Sequence, residues 1–190
     1  MNKEEIYIEA ERAAVVLKNG GTLLFPTDTV WGIGGDACNP ETIKKVYALK
    51  QRSESKALIC LIKDLEMLGR HIEKIPAAAL PFLEAKRPTT VIFSNPKGLP
   101  DALIAEDHSI AFRIPDDLFC QKLLHHFDGP IIATSANISQ HPTPKQFDEI
   151  DPVILKGVDY IVPLAKDQIK AHPSRIIKFD PKGNALILRD

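Results

Sequence analysis

The sequence predicts an α/β (α+β-like) fold in which helices flank a twisted, mixed β-sheet. Apolar residues at helical spacing alternate with short apolar runs along the whole chain. The 190 residues are 44% hydrophobic and 26% charged, which is typical of a globular domain, and we find no internal repeat, low-complexity tract or linker. A chain of this length buries enough surface to fold without disulfides or a structural metal. We therefore predict a single domain over residues 1–190.

The first elements follow from periodicity and from residues that break it. Alanines at helical spacing predict a first helix that ends at a pair of glycines. A short buried strand over 22–25 follows, and the next residues, 26–36, are rich in glycine and hydroxyls and predict a loop. Asn39 and Pro40 begin a second helix as its N-cap and first-turn residue. Its apolar face extends to Lys50, so this lysine has a defined direction.

The remaining elements alternate in the same way. Further strands are predicted at 57–62, 89–93, 110–114, 130–134, 174–179 and 185–189. Further helices are predicted at 65–72, 77–83 and 116–126, and a short one at Thr143 and Pro144. The composition of residues 180–184 favours a hairpin turn between the last two strands.

Charge and cysteine content exclude several classes of protein. Lys and Arg total 24 against 25 Asp and Glu, a net charge of −1, so a nucleic acid would meet no global positive field. Cys38, Cys60 and Cys120 are far apart, which argues against a disulfide framework or a zinc site. The N-terminus lacks a signal layout, and no apolar run approaches the roughly 18 residues of a membrane span. We expect a cytoplasmic protein without membrane contact.

Common catalytic signatures are also missing from the sequence. It contains no G-x-x-x-x-G-K-[ST], no G-x-G-x-x-G after a strand, no H-E-x-x-H and no G-x-S-x-G. Two polar segments at predicted strand ends remain. Thr27, Asp28 and Thr29 either direct hydroxyls and amides toward a small ligand or form a turn capped by Asp28. Residues 134–139 follow a strand and favour a ligand site at its carboxyl end, with ordinary turn chemistry as the alternative.

A third candidate is a local cluster of positive charge. Between residues 44 and 56 the chain carries a net charge of +4, from Lys44, Lys45, Lys50, Arg52 and Lys56 against Glu54. A guanidinium with ammonium groups suits several phosphates, which favours a functional interpretation for Lys50, Arg52 and Lys56. Lys44 and Lys45 are more typical of a solvated surface.

Isolated charges in predicted strands form the last group. Arg113 lies within an apolar strand, where an unpaired charge is costly, so it must reach a partner such as a carboxylate. A structural salt bridge is the alternative. Ser174, Arg175 and Arg189 lie on late strands, where edge charges commonly oppose aggregation.

Together these segments resemble a known family. The stretches GGTLLFPTDTVWGIGGDACN, KQRSESKALICLI, AFRIP, PIIATSANIS and PSRII are similar to the YrdC-like family of threonylcarbamoyl-AMP synthases, in its short single-domain form. The likeness covers nearly the whole chain. Each of the PTDT loop, the K-x-R element and the TSAN turn is weak alone, but their order and spacing are specific together.

The resemblance implies a YrdC-like fold and an ATP-consuming nucleotidyltransferase. It would join L-threonine and bicarbonate into threonylcarbamoyl adenylate, release pyrophosphate, and supply threonylcarbamoyladenosine modification of tRNA. The threonine amine would capture bicarbonate as a carbamate, whose oxygen attacks the α-phosphorus of ATP. Mg²⁺ would be bound mainly through ATP, without a metal site of protein side chains. A tRNA or a downstream threonylcarbamoyl-transfer complex would be a further partner.

The resemblance also implies roles for single residues. Those for threonine would be Thr29, Arg113, Thr134 and Ser174, with Arg113 taking the carboxylate. Those for the nucleotide would be Lys50, Arg52, Lys56, Ser135, Asn137, Thr143 and Arg189. Lys50 and Arg52 would be the catalytic pair at the phosphates.

The chain departs from the family pattern at several positions. Arg87 replaces a glycine, Gln140 follows Ser139 where glycine is usual, Arg175 replaces a threonine, and Trp31 replaces a common tyrosine. Two alternatives stay open. One is a module that binds double-stranded RNA or tRNA without synthase activity. The other is a carbamoyl-transferring relative, as in hydrogenase maturation, which neither the length nor the cysteines favour.

Overall fold

The computed structural model describes residues 2–51, 58–169, 172–179 and 184–190, whose strands form one mixed sheet. The strands are β1 (Leu23–Phe25), β2 (Gly32–Asp36), β3 (Ile59–Leu61), β4 (Thr89–Ser94), β5 (Ser109–Arg113), β6 (Ile131–Ser135), β7 (Tyr160–Ile161), β8 (Arg175–Phe179) and β9 (Ala185–Arg189). The α-helices are α1 (Lys3–Lys18), α2 (Pro40–Lys50), α3 (Leu65–His71), α4 (Leu80–Leu83), α5 (Leu118–Phe127) and α6 (Pro152–Gly157). Short 3₁₀ turns span Ala77–Ala79, Asp101–Leu103 and Phe147–Glu149.

Helix boundaries follow the capping residues of the sequence. Asn2 begins α1 with a capping box, and Asn39 caps α2 with Pro40 in the first turn, as predicted. The helix α2 ends at Gln51, whose backbone is left-handed with φ 48°. This boundary leaves Lys50 in the last helical turn with its side chain buried.

The strand order is β7-β1-β2-β6-β3-β5-β4-β8-β9. The pairs β1–β7, β3–β5 and β4–β8 are parallel, and the other pairs are antiparallel. This confirms the predicted twisted, mixed sheet with flanking helices. Because neighbours in the sheet are distant in sequence, segments from all parts of the chain meet on its surface.

The two faces of the sheet are covered to different extents. On β5, Ile110 and Phe112 belong to the larger core, which includes side chains of α2 and α3. Ala111 and Arg113 alternate onto the other face. There α1 and α5 pack on β1, β6 and the end of β3, and form the second core. Where these two helices leave the sheet uncovered, the second face opens into a cavity.

Strand β2 lies inside the segment 26–36 that the sequence predicts as a loop, so the second half of that prediction is wrong. The strand could not be recognised in the sequence, because glycine has a low strand propensity. Packing requires glycine at position 34, because a Cβ added to Gly34 would lie 2.5 Å from Phe25 Cε1 and 2.8 Å from the Ile132 carbonyl oxygen. Pairing with β1 and β6 then satisfies the backbone.

The helix predicted at Thr143 is also wrong. Residues 142–146 form no helix, because Pro142 and Pro144 remove backbone donors, and a 3₁₀ turn follows at Phe147–Glu149. Helix α6, capped by Asp151, and the short strand β7 were not predicted. Residues 180–183 of the predicted hairpin turn lie outside the described residues.

All three cysteines lie within the described residues. Cys38, Cys60 and Cys120 are all free thiols, and burial raises the pKa of the Cys60 and Cys120 thiols. Among the helices of the described ranges, none combines the length and the apolarity that a bilayer crossing requires.

Candidate active site

A cavity of about 290 Å³ opens on the part of the sheet that α1 and α5 leave uncovered. It brings together seven residues predicted for the site: Thr29, Arg113, Thr134, Ser135, Thr143, Ser174 and Arg189. The TSAN segment begins in the last two residues of β6, whereas Arg113 ends a strand, β5, that runs in the opposite direction. The cavity therefore lies across a face of the sheet, not along the carboxyl edge that the sequence predicted.

Arg113 is 3% exposed and forms an ion pair inside the protein. Its Nη1 donates to Asp28 Oδ1, and Nη2 lies 3.4 Å from Thr29 Oγ1. Asp28 Oδ2 also accepts from the Asp116 backbone nitrogen at 3.1 Å. The predicted carboxylate partner is therefore Asp28, within the loop before β2.

Thr27, not Asp28, caps the turn between β1 and β2. Its Oγ1 donates to the Val30 carbonyl oxygen at 2.8 Å and accepts from the Thr29 backbone nitrogen at 3.0 Å. The interpretation of Asp28 as a local turn cap is wrong, because its carboxylate reaches across to β5 and the start of α5. The turn thus presents Thr29 to the cavity while Asp28 secures Arg113.

A second polar group lies where β8 begins. Ser174 Oγ is 2.8 Å from Thr90 Oγ1, and Arg189 Nε donates to the Ser174 carbonyl oxygen at 2.8 Å. Burial and the positive charge of Arg113 lower the pKa of Arg189. Two guanidinium groups therefore act on the same cavity, which favours an anionic ligand.

Arg175, which replaces a family threonine, faces away from the cavity. Its guanidinium lies 5.2 Å from the Phe82 ring centroid, on the other side of the sheet. The departure at this position therefore leaves Ser174 on the cavity side.

The TSAN turn is held by Lys50, whose side chain is 1% exposed. Lys50 Nζ donates to the carbonyl oxygens of Ser135 at 2.5 Å and Asn137 at 2.8 Å, and to Asn137 Oδ1 at 3.2 Å. Ser135 Oγ donates to the same Asn137 Oδ1 at 2.5 Å. Lys50 is not among the residues that line the cavity, and its ammonium binds the backbone of the turn. A contact between Lys50 and phosphate stays a prediction.

Asn137 lines a neighbouring cavity of about 450 Å³, and Thr143 lines both cavities. The amide of Asn137 donates to the His141 carbonyl oxygen at 2.6 Å. The TSAN turn thus forms the boundary between the two cavities.

The cation cluster is only partly within the described residues. Lys44 is exposed and pairs with Glu41 at 2.9 Å, and Lys45 Nζ donates to the Gly20 carbonyl oxygen at 3.2 Å. These contacts agree with the surface interpretation of both lysines. Arg52 and Lys56 lie outside the described residues.

Sequence reasoning missed the floor of the cavity. Ile59 is the register partner of Ala111 on one side and of Ala133 on the other, so the three side chains lie in a row on one face. Two alanines beside an isoleucine leave space above the sheet. Alanine within short strands was the available signal, but alternation alone does not tell which face is open.

The described residues contain no group of three or more His, Cys, Asp or Glu side chains arranged to hold a metal ion. The side-chain oxygens of the described residues that line the cavity belong to hydroxyls. Ser135 Oγ keeps lone pairs for a metal ion, because it donates its own proton to Asn137. This hydroxyl fits a hard cation whose other ligands are phosphate oxygens and water.

Comparisons with known proteins identify the family of this chain. The family model Sua5/YciO/YrdC, described as "Telomere recombination", matches residues 15–190. A Methanocaldococcus jannaschii protein that carries the name threonylcarbamoyl-AMP synthase provisionally is 33% identical over 186 residues, which cover 95% of this chain and 84% of that protein. The threonylcarbamoyl-AMP synthase of Pseudomonas aeruginosa PAO1 is 31% identical over 155 residues, covering 76% and 83%.

A solved structure shares the fold. P. abyssi Sua5, crystallised with L-threonine, superposes with a TM-score of 0.80 at 24% identity. The match covers all of this chain and 54% of that one, so the chain spans about half the length of that relative. The family match and the identity to curated relatives over most of the chain show that this protein belongs to the Sua5/YciO/YrdC family.

Proposed function

We propose that the chain is a threonylcarbamoyl-AMP synthase, which condenses L-threonine, bicarbonate and ATP to threonylcarbamoyl adenylate and pyrophosphate. One observation carries the proposal: two guanidinium groups and several hydroxyls from six segments converge on one cavity. The reaction needs such a site, because it must hold a carboxylate and a polyphosphate together. Relatives that are at least 30% identical over most of the chain bear the name of this activity.

Threonine would bind at the Arg113 end of the cavity. Arg113 supplies a guanidinium for the carboxylate, and the hydroxyls of Thr29 and Ser174, which line the same cavity, would be further hydrogen-bond partners. Thr134 lines the same cavity and would add a further hydrogen bond to the amino acid. The row of Ile59, Ala111 and Ala133 would contact the side chain.

ATP would bind at the TSAN end of the cavity. Ser135 would face the phosphates, with Arg189 and Thr143 nearer the periphery of the nucleotide. Lys50 would act through the turn, because its ammonium fixes the carbonyl oxygens of Ser135 and Asn137 and so orients their hydroxyl and amide groups. Arg52 and Lys56 complete the proposed phosphate set.

Mg²⁺ would arrive with ATP and neutralise charge that develops on the pyrophosphate leaving group. The Ser135 hydroxyl is the protein oxygen suited to contact it.

The cavity would promote the reaction by orientation. The threonine amine, held near Arg113, would capture bicarbonate or carbon dioxide as a carbamate, and water leaves when bicarbonate is used. A carbamate oxygen would then form a bond to the α-phosphorus as the bond to pyrophosphate breaks. Both the carbamate and the mixed anhydride are labile in water, and the apolar floor restricts solvent beneath them.

The product would pass to a threonylcarbamoyl-transfer complex or a tRNA as the next acceptor, because the adenylate is an activated acyl donor.

RNA binding without synthesis is the second candidate function. The described members of the cation cluster do not favour it, since Lys44 and Lys45 contact other groups of the protein and Lys50 is buried.

The test is an assay of pyrophosphate release with single omissions of substrate. We expect release, and threonylcarbamoyl adenylate detected by mass spectrometry, only when ATP, threonine and bicarbonate are all present. In the control reactions without threonine or without bicarbonate, we expect no more pyrophosphate than in a reaction without the protein. Tight binding of a tRNA with no pyrophosphate release from the complete mixture would overturn the synthase proposal in favour of RNA binding.

A further inference from the structure

We propose that Asp28 is a positioning residue that holds Arg113 at Nη1, so that the opposite edge of the guanidinium, Nε with Nη2, receives the carboxylate of the substrate. The inference rests on the proposed function and deepens it. It specifies which donors bind the substrate, and it gives a role to a residue that neither motif spacing nor the family comparison assigns.

The first observation is how firmly Asp28 is fixed. One carboxylate oxygen accepts from Arg113 Nη1, and the other accepts from the Asp116 backbone nitrogen at 3.1 Å. Both partners in the ion pair have side chains less than one-tenth exposed. Asp28 is thus bound at both oxygens, to the end of β5 and to the segment that leads into α5.

The second observation is the state of the remaining donors on Arg113. Within the described ranges of the chain, Nη2 has only the distant contact to Thr29 Oγ1 at 3.4 Å, which is near the limit for a hydrogen bond. Nε is buried and has no hydrogen-bond partner among the described residues. Arg113 itself lines the cavity. A buried N–H without a partner is costly, so this edge is prepared for a ligand.

The geometry of a guanidinium joins these observations. The N–H of Nε and one N–H of Nη2 point in the same direction and match the two oxygens of a carboxylate. The Nη1 corner, which Asp28 occupies, is directed elsewhere. A planar carboxylate can therefore bind to Arg113 without displacing Asp28.

Charge balance argues against displacement of Asp28 by the substrate. If a ligand took its place on Arg113, the Asp28 carboxylate would stay buried without its cation, which is a large penalty. With Asp28 in place, the Arg113–Asp28 pair is neutral and Arg189 supplies the positive charge that offsets a monoanionic ligand. The ligand class is an amino acid with a free α-carboxylate, and an amide at that position would bind poorly.

The main test is Asp28→Asn, which keeps the size of the side chain and removes its charge. We expect the KM for threonine to rise about tenfold or more, while kcat and the KM for ATP change less than threefold, because only the orientation of Arg113 is lost. Arg113→Ala serves as the reference for complete loss of carboxylate binding. Glu9→Gln is the matched control, since Glu9 is a buried carboxylate that accepts from Arg12 at 2.6 Å on α1.

Each outcome decides between models. If the substrate displaces Asp28, Asp28→Asn will bind threonine more tightly than the wild type, and the proposal is overturned. Equal increases in the KM for threonine and for ATP would assign Asp28 a general structural role and also overturn it. Wild-type pyrophosphate release that does not depend on threonine would instead contradict the proposed function, so the two failures are distinguishable.

A second measurement keeps the inference testable if Asp28→Asn does not fold. In the wild-type protein, the NMR signal of the Arg113 Nε–H can be assigned by its loss in Arg113→Lys. We expect threonine to shift this signal strongly downfield and threonine amide to leave it nearly unchanged. An Nε–H signal that threonine does not move would overturn the proposed binding edge.

Discussion

The two faces of the central sheet differ in what covers them. On the first face, Val91, Phe93 and Phe112 are buried in the core completed by α2 and α3. On the second face, α1 and α5 cover only part of the sheet, and Ile59 with Ala111 lies in the floor of a cavity. The same strands contribute to both faces, so one sequence of alternating residues specifies a core on one side and a site on the other.

The comparison shows how this fold makes room for a ligand. The site requires no break in the sheet, only small side chains and polar strand ends where the helical cover stops. Substitutions on the first face should therefore change stability, and substitutions on the second face should change ligand binding.

The largest expected effect is on the covered face. Phe112 is fully buried and packs against His71 and Phe93, with ring centroids at 6.0 and 6.4 Å. Phe112→Ala should lower the free energy of unfolding by about 3–5 kcal/mol, because it leaves a cavity in the core. Urea denaturation measures this change. Below the unfolding transition the KM for threonine should stay near the wild-type value, and a large increase would break the proposed division between faces.

The second effect is on the open face, one residue away on the same strand. Ala111→Leu should fill the floor of the cavity and reduce kcat/KM for threonine at least 30-fold, equivalent to about 2 kcal/mol. Thermal stability should be almost unchanged, because the added side chain enters open space. Steady-state kinetics and a thermal melt measure the two quantities.

Ala185→Leu is the matched control for that substitution. It adds the same atoms to β9, where Ala185 is exposed and lies outside the cavity lining. Wild-type threonine kinetics are expected in this variant. A comparable loss of activity in both variants would show that leucine disturbs the sheet in general.

The smallest effect concerns an ion pair at the margin of the open face. Lys178 Nζ lies 2.5 Å from Asp107 Oδ2. This contact, together with a hydrogen bond from Ser109, lowers the pKa of Asp107 to about 2. A depressed carboxyl pKa stabilises the fold above the ordinary pKa of 3.8, and this contribution is lost as the pH falls through about 2. Because both groups are partly exposed, Asp107→Asn should cost at most about 1 kcal/mol at pH 7.

The measurement for this pair is urea denaturation of wild type and Asp107→Asn at pH 7, 4 and 2.5. The difference between the two proteins should be largest at pH 7 and shrink at the lowest pH. A difference that does not depend on pH would indicate that the substitution acts through packing and not through charge.

Much of the fold could be predicted because periodicity reports local structure. The caps at Asn39 and Pro40 and the apolar run at 110–114 are local signals, and the structure confirms the helix start and the strand β5. Strand β2 could not be predicted in the same way, because its three glycines are typical of loops. Their packing, of Gly32 and Gly34 against Phe25 and of Gly35 against Thr42, is a tertiary property.

In the site, too, local features could be predicted from the sequence and tertiary contacts could not. The charge of Arg113 within an apolar strand predicted a buried partner, since the cost of desolvation depends on local context. That partner is Asp28, which lies 85 positions away in the sequence. Its identity could not be predicted, because the contact depends on the path of a loop across the sheet. The position of Lys50 on the inner face of α2 could be predicted, but not that it would bind the carbonyl oxygens of a turn.

Arg189 stands on β9, the outermost strand, where Leu186, Ile187 and Leu188 are each about half exposed. Among the described strands, β8 is the only one that pairs with it. Because Arg113 is neutralised by Asp28, the cavity thus draws its uncompensated positive charge from the least enclosed part of the sheet. Retention of an anion is consequently sensitive to fraying at the periphery, even when every contact around Asp28 is intact.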